Sequence, residues 1–188
     1  MSQEIQVIDI LKEPMSLGQV FADSGMFPDV KTQAQAVVKI LAGKELGISP
    51  LESMNSFFFV NSKIAMPSRL MAALVKRSKS YDYSIDKIDD AECILSFHRL
   101  VDGKKEEIGK SSFTFKDGAK AGLVNKDNWK NYPRNCLFAR ALSNGVRWYC
   151  PEIVCGFYTV EEVEDIEIAP TTKTIELTAE GEVISGKG

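Results

Sequence analysis

Two stretches of this chain, one histidine and four cysteines are of residue types that do chemistry elsewhere. Asp86, Asp89 and Asp90, with Glu92 close behind, offer carboxylate oxygens for a hard divalent cation of the kind a metal-dependent nuclease uses. Their spacing matches no catalytic motif, and acids between strands commonly form solvated turns. Gly103-Lys-Lys-Glu-Glu-Ile-Gly109-Lys110-Ser111 comes near a phosphate-binding loop. Such a loop needs about four residues between its glycines and must join a strand to a helix, so that backbone N–H groups and a helix terminus cradle phosphate. Here five intervene between predicted strands, which favours a charged hairpin. His98, the one histidine, has no acid fixed relative to it as a general base would need. Cys93, Cys136, Cys150 and Cys155 form no Cys-x-x-Cys pair and read as small buried hydrophobes rather than zinc ligands. No persuasive catalytic residue emerges, and no cofactor is called for.

Binding chemistry is better represented. Between Lys126 and Arg147 a tryptophan, Trp129, sits among lysines, the chain turns at Tyr132-Pro133, and a helix follows. At 100° per residue, Arg140 and Arg147 fall within about 20° of each other and form a basic ridge. Leu137, Phe138, Ala141 and Leu142 lie beside that ridge and can bury. Residues 53–80 carry Lys63, Arg69, Lys76, Arg77 and Lys79 with no acid. On the helix predicted over 67–80, Arg69 and Lys76 make a second ridge opposite Leu70, Met71, Leu74 and Val75. Single-strand binders pair such basic grooves with flat side chains. Trp129 suits either a stacking platform or the core. Of Phe57, Phe58 and Phe59, the first and third share a face and favour the core.

The totals fit one domain of ordinary globular composition, 44% hydrophobic and 26% charged, over 188 residues. No apolar run reaches the roughly 18 residues of a membrane span, and the N-terminus lacks the pattern of a signal peptide, so a cytoplasmic location is expected. The net charge of −3 speaks against a polyanion partner until its distribution is considered. From Cys150 onward stand nine acids and two lysines, a balance of −7, so residues 1–149 carry +4. That asymmetry points to a polyanion partner and an acidic end.

The elements that must position these residues define an α+β fold, an antiparallel sheet (hairpin plus three-stranded meander) packed with helices. A short helix is expected over 16–25, capped by Ser16 and stopped by Gly25. A stronger one spans Lys31–Glu45, with Ala34, Val37, Val38, Leu41 and Ala42 at helical spacing. Residues 57–60 and 63–66 read as a tight hairpin about Asn61-Ser62. Three strands follow across 81–116, the second and third joined by Asp102-Gly103. A short helix covers Asp117–Leu123. Thr159-Val-Glu-Glu is a capping box opening an acidic helix to about Ile166. Residues 1–166 form the core. Residues 167–188, rich in Thr, Glu and Gly, read as a flexible acidic C-terminal tail.

The order Gly47-Ile-Ser-Pro, hairpin, basic helix and sheet, then Trp129-x-x-Tyr-Pro-Arg-x-x-Leu-x-x-Arg-Ala-x-x-x-x-x-Arg147, Gly156-Phe-Tyr158 and Glu161-Glu162, resembles the phage single-strand annealing proteins of the RecT/Redβ group. The likeness covers roughly residues 30–166. It implies a Rad52-like annealing-protein core and an ATP-independent recombinase without enzymatic turnover, acting in recombination and repair. Such a protein assembles on single-stranded DNA as a ring or helical filament and pairs it with its complement to give annealed duplex. By position it implies DNA-backbone contacts from Arg134, Arg140 and Arg147, with Lys130 and Lys126 just before. Charge alone adds Arg69, Lys76 and Lys63, and Trp129 stays an open aromatic candidate. The implied partners are a phage exonuclease or a host single-strand-binding protein, in a host cell's cytoplasm if the chain is phage-encoded. The chain is shorter than the family pattern, leaving at most the C-terminal tail to recruit them. Head-to-tail assembly could also set that acidic end against a neighbour's basic face. Two readings stand beside annealing: a metal-dependent nuclease on Asp86, Asp89 and Asp90, and a protein-binding factor whose ridges meet an acidic partner.

Overall fold

A computed structural model describes residues 2–60 and 63–165. The C-terminal tail expected over 167–188 and the hairpin turn at 61–62 lie outside the described residues. The chain begins with helix α1 (Ser2–Asp23). This corrects the expectation of a short helix capped by Ser16. The Ser16 hydroxyl instead donates to the Lys12 carbonyl one turn back, at 3.0 Å, which lets a serine sit inside a helix. Phe27 and Val30 close the expected turn, with the Val30 N–H on the Phe27 carbonyl at 3.0 Å.

Helix α2 (Gln33–Glu45) starts in a full capping box, Thr32 with Gln35. Its buried face is Ala36, Lys39, Ile40, Ala42 and Gly43 rather than the expected stripe; Ala34 and Val38 point to solvent. The stripe is rotated because Lys39, fully buried, finds inside what a charge needs. Its Nζ lies 2.6 Å from Asp29 and 3.3 Å from the Met54 carbonyl. Helices α1, α2 and the short α3 (Pro50–Ser56) enclose a small core of Phe27, Val30, Ala36, Ile40 and Met54.

Strands β1 (Phe58–Val60) and β2 (Lys63–Met66) form the expected hairpin. Helix α4 (Ser68–Arg77) follows, burying Leu70, Met71, Leu74 and Val75 as its spacing dictates. The meander is β3 (Tyr81–Ile88), β4 (Glu92–Val101) and β5 (Lys104–Thr114), antiparallel throughout. Asp102 and Gly103 turn it with φ of 49° and 75°, the mirror-image turn that fits strand twist. Gly103 through Ser111 is therefore hairpin and strand, with no phosphate-binding loop.

Helices α5 (Phe115–Lys120), α6 (Asp127–Asn131) and α7 (Pro133–Tyr149) come next. α7 is the axis of the main core. It packs on β4, β5 and α4, and buries Cys136, Leu137, Ala139, Ala141, Leu142, Ser143, Gly145 and Val146. The Ser111 hydroxyl donates to the Ala141 carbonyl at 2.7 Å, tying helix to sheet. After a turn at Pro151–Ile153, β6 (Tyr158–Thr159) runs parallel to β2, and α8 (Val160–Asp165) packs on the hairpin. The strand order is thus β1-β2-β6 in one sheet and β3-β4-β5 in the other. Two antiparallel-dominated sheets packed with helices make an α+β fold. The two residues of β6 are too short to announce themselves in the sequence.

Candidate nucleic-acid interface

Each carboxylate of the acidic stretch has a partner in the fold. Asp86 accepts from Lys110 at 2.8 Å and from the Ser96 hydroxyl at 2.7 Å, and those bonds hold its carboxyl below the usual range. Asp89 accepts the backbone N–H groups of Glu92 and Ala91, closing the β3–β4 turn. Glu92 takes Lys87, and Asp90 takes Arg134 at 2.8 Å. Among the described residues no three His, Cys, Asp or Glu side chains converge on a point that could hold a metal ion. His98 stands in register between Asp82 and Glu107, but Asp82 is already claimed by Lys76 and Lys105, each 2.6 Å away. Of the cysteines, Cys93 and Cys150 are buried, and burial pushes their thiols up to about 11 and about 12. Cys136 is buried too, while Cys155 is exposed, contrary to expectation.

Arg147 is not a free phosphate contact. Its Nε donates to Glu162 Oε1 at 2.8 Å and its Nη2 to Oε2 at 2.6 Å, a two-pronged pair; Nη2 also reaches the Phe157 carbonyl at 3.2 Å. The guanidinium lies 4.6 Å from the centre of the Tyr158 ring. Only 27% of the Arg147 side chain and 14% of Glu162 meet solvent. Burial would raise the Glu162 carboxyl, but the bonds from Arg147 and Thr159 outweigh it and leave it lowered. Glu162 is also the distal half of the expected capping box, its N–H on Thr159 Oγ1 at 3.2 Å and its carboxylate on the Thr159 N–H at 2.7 Å. The second arginine of the predicted ridge is therefore a clasp between α7 and α8. Arg140 is half-buried.

Trp129 belongs to the core, 3% exposed, so the choice left open by the sequence falls against a stacking platform. Its ring packs on Phe113 and Phe115, with centroids 6.2 and 6.3 Å away. Gly118 permits that fit, since a Cβ there would come within 2.8 Å of the indole. The tryptophan thereby fastens α5 to α6 and fixes the cations on both. Lys116, Lys120 and Lys130 are exposed, as is Arg134 at the start of α7, and Lys126 is half-buried at the N-terminus of α6. The acid within α5, Asp117, turns its Oδ2 back onto the Thr114 N–H (3.0 Å) and hydroxyl (2.6 Å) as a capping box, and its charge remains close enough to Lys120 to be felt. Asp127 is exposed, 3.7 Å from Lys130. Arg134 and Asp90 are 60% and 68% exposed, so their pairing is weak and exchangeable. Lys126, Lys130 and Arg134 came from the sequence. Lys116 and Lys120 were not among the sequence candidates although a short helix was expected over Asp117–Leu123; the capping box of Thr114 and Asp117 starts that helix two residues earlier and so takes in Lys116.

The remaining candidates lie on β2 and α4. Lys76 is held by Asp82, by the Tyr83 carbonyl and by the Tyr83 ring 4.4 Å from its Nζ. Burial would raise Asp82, yet Lys105 and Lys76 bring it down to about 2, so one carboxylate is shared by two lysines and the trio stays cationic. Lys63 and Arg69 are exposed. Arg69 borders a groove of about 430 Å³ with Asp29, Phe58, Phe59, Val60, Pro67 and Val160. Tyr132, an aromatic beside the ridges in the sequence, is exposed (65%), as is Tyr158 of the Gly156-Phe-Tyr158 motif (43%), and Trp148 (61%) went unremarked. Among the described residues no helix is long and apolar enough to cross a membrane. Compared with models of protein families, with curated proteins and with solved structures, the chain matches none.

Proposed function

We propose that this chain binds single-stranded DNA by its backbone and anneals it to a complementary strand without ATP, acting as an oligomer in recombination. The observation that carries the reading is the set of exposed cations Lys116, Lys120, Lys130 and Arg134, with half-buried Lys126, on α5, α6 and the start of α7, the first two helices joined through the buried Trp129; we read them as one basic platform. Cations on fixed helices neutralise phosphates and release counterions, which lowers the repulsion between two approaching strands. Backbone contacts leave the base edges free, so pairing itself supplies sequence discrimination. Because one platform engages only a few phosphates, several protomers side by side are needed for tight binding. Exposed Tyr132, beside Arg134, is the aromatic available for stacking in place of Trp129. The resemblance to the RecT/Redβ group supports the same reading, and a Rad52-like annealing core belongs to the proposal on that resemblance alone. A phage exonuclease or host single-strand-binding partner belongs to the proposal on resemblance alone.

The test mixes complementary oligonucleotides with the protein without ATP, once with a chelator and once with magnesium ion added. Faster annealing with strands of unchanged length is expected. Shortened strands would indicate a nuclease, and inertness toward DNA a protein-binding factor; either result overturns the reading. In the Lys120→Glu/Lys130→Glu double variant, single-strand affinity should fall for every sequence. The slope of log K against log salt should shrink by about 0.7 for each phosphate that is no longer neutralised.

A further inference from the structure

From Arg140 to the end of α7, the side turned from the core carries Arg140, Asn144, Arg147 and Trp148, which at 100° per residue fall within about 100° of one another. The first three are half-buried, and Trp148 is 61% exposed. An indole offers a large apolar surface, and Trp129 is buried accordingly. Trp148 is held out by its neighbour. The Tyr149 hydroxyl donates to the Lys110 carbonyl at 3.0 Å, its ring lies 5.6 Å from that of Phe97, and it fills the space that a Cβ on Gly109 would need. Against this fixed ring the indole stands upright, the planes 88° apart and the centroids 6.3 Å. A perpendicular contact of that kind supports the indole without covering both of its faces.

Arg147, the residue before Trp148, holds a second ring at the same end of the helix: its guanidinium lies 4.6 Å from the centre of Tyr158, itself 43% exposed. The end of α7 therefore presents aromatic rings together with the guanidinium groups of Arg140 and Arg147, the latter paired with Glu162. That is the chemistry that takes a nucleobase. Every base has a π-face to lay on an indole, and an arginine beside it meets the base plane or the adjoining phosphate. Stacking occupies the face of a base and leaves its hydrogen-bonding edge open, which pairing with a complement requires. A closed pocket around the base would hide that edge.

We propose that Trp148 stacks on one base of a bound single strand, the strand's backbone passing toward Arg140. This rests on the nucleic-acid reading and adds a base contact, at the far end of α7 from Arg134, to the backbone contacts of the platform. The chain has two tryptophans and Trp129 is buried, so the emission that acrylamide quenches is that of Trp148. A thymidine oligonucleotide should quench that emission and shield it from acrylamide, while a strand of equal length without bases should do neither. By fluorescence anisotropy of dye-labelled strands, Trp148→Ala should weaken binding of the thymidine strand at least about fivefold, the low end for a lost base–aromatic stack, and of the abasic strand by less than about twofold. Trp148→Phe, which keeps a flat ring, should recover part of the affinity. Both variants should unfold at the wild-type temperature, because the side chain they alter is exposed. Equal losses on the two strands, or none on either, overturn the proposal and leave backbone binding standing. A wild type that binds neither strand overturns both. Emission that shifts with protein concentration alone, unmoved by the strand, places Trp148 between two copies of the chain and also overturns the proposal.

Discussion

Arg147 shows how a correct helix position can carry a mistaken role. Its place on one face with Arg140 follows from helical periodicity, but its partner Glu162 sits in a different element, and nothing in the local pattern joins them. The capping box around Thr159 was legible because its two halves are three residues apart; the clasp was not, because it requires α7 and the hairpin to be in place first. Replacing Arg147 by Ala should lower unfolding free energy by about 2–3 kcal/mol, below the roughly 3–5 of a fully buried pair because a quarter of the side chain is wet. Arg147→Lys should recover only part, since one ammonium cannot span both carboxylate oxygens and the Phe157 carbonyl. Glu162→Gln keeps a side chain able to complete the cap and removes only the charge. The folded Glu162 carboxyl lies below its ordinary 4.5, so its contribution is full above pH 4.5 and is lost as pH falls through the lower folded value. The stability gap between wild type and Glu162→Gln, measured by urea unfolding, should therefore shrink below pH 4.5.

At the scale of elements, α7 governs the molecule through close approach. Gly145 faces Phe97 and Ser111 across the helix–sheet boundary, where an added Cβ would come within 2.1 Å of the Phe97 ring and 2.9 Å of Ser111 Cβ. Both neighbours are themselves buried, so little can yield. Gly145→Ala should destabilise by about 1–3 kcal/mol through overpacking, outweighing the gain in helix propensity, and thermal unfolding would read it directly. The meander, α4 and α7 were legible because each carries its own punctuation, Asp102-Gly103, Pro67 and Pro133, and a single buried stripe. α1 and the face of α2 were not. Ser16 imitates a cap until its bond to Lys12 is seen, and Lys39 in a buried position defeats any stripe drawn from apolar residues alone. Trp129 was undecided for a related reason: the aromatic wall that receives it, Phe113 and Phe115, comes from the end of β5 and the start of α5 rather than from α6 itself.

At the scale of the whole molecule, many carboxylates, at the surface as well as in partly buried places, are held ionised by hydrogen bonds and by lysine or arginine partners. Asp86 is lowered chiefly by Lys110, Asp89 by the Glu92 N–H, Asp117 by Thr114 and Glu152 by the Tyr81 hydroxyl. Asp82, against its own burial, is brought to about 2 by Lys105 and Lys76. All these shifts have one sign. Each group binds a proton less readily folded than unfolded, so each contributes stability that is present above its ordinary value, 3.8 for the aspartates and 4.5 for the glutamates, and is lost as pH falls through the folded one. Urea midpoints of the full chain should therefore change little through neutral pH, begin to drop near pH 4.5, and continue dropping to about pH 2, where Asp82 titrates. Added salt should soften the contribution of the exposed pair Asp86–Lys110 more than that of half-buried Glu162, because mobile ions screen what they can reach. In Asp82→Asn the final part of the descent, toward pH 2, should disappear while the part near pH 4.5 remains. An unchanged profile in that variant would show that Lys76 and Lys105 do not hold Asp82 ionised in solution, and would return Lys76 to the set of cations free to meet a phosphate.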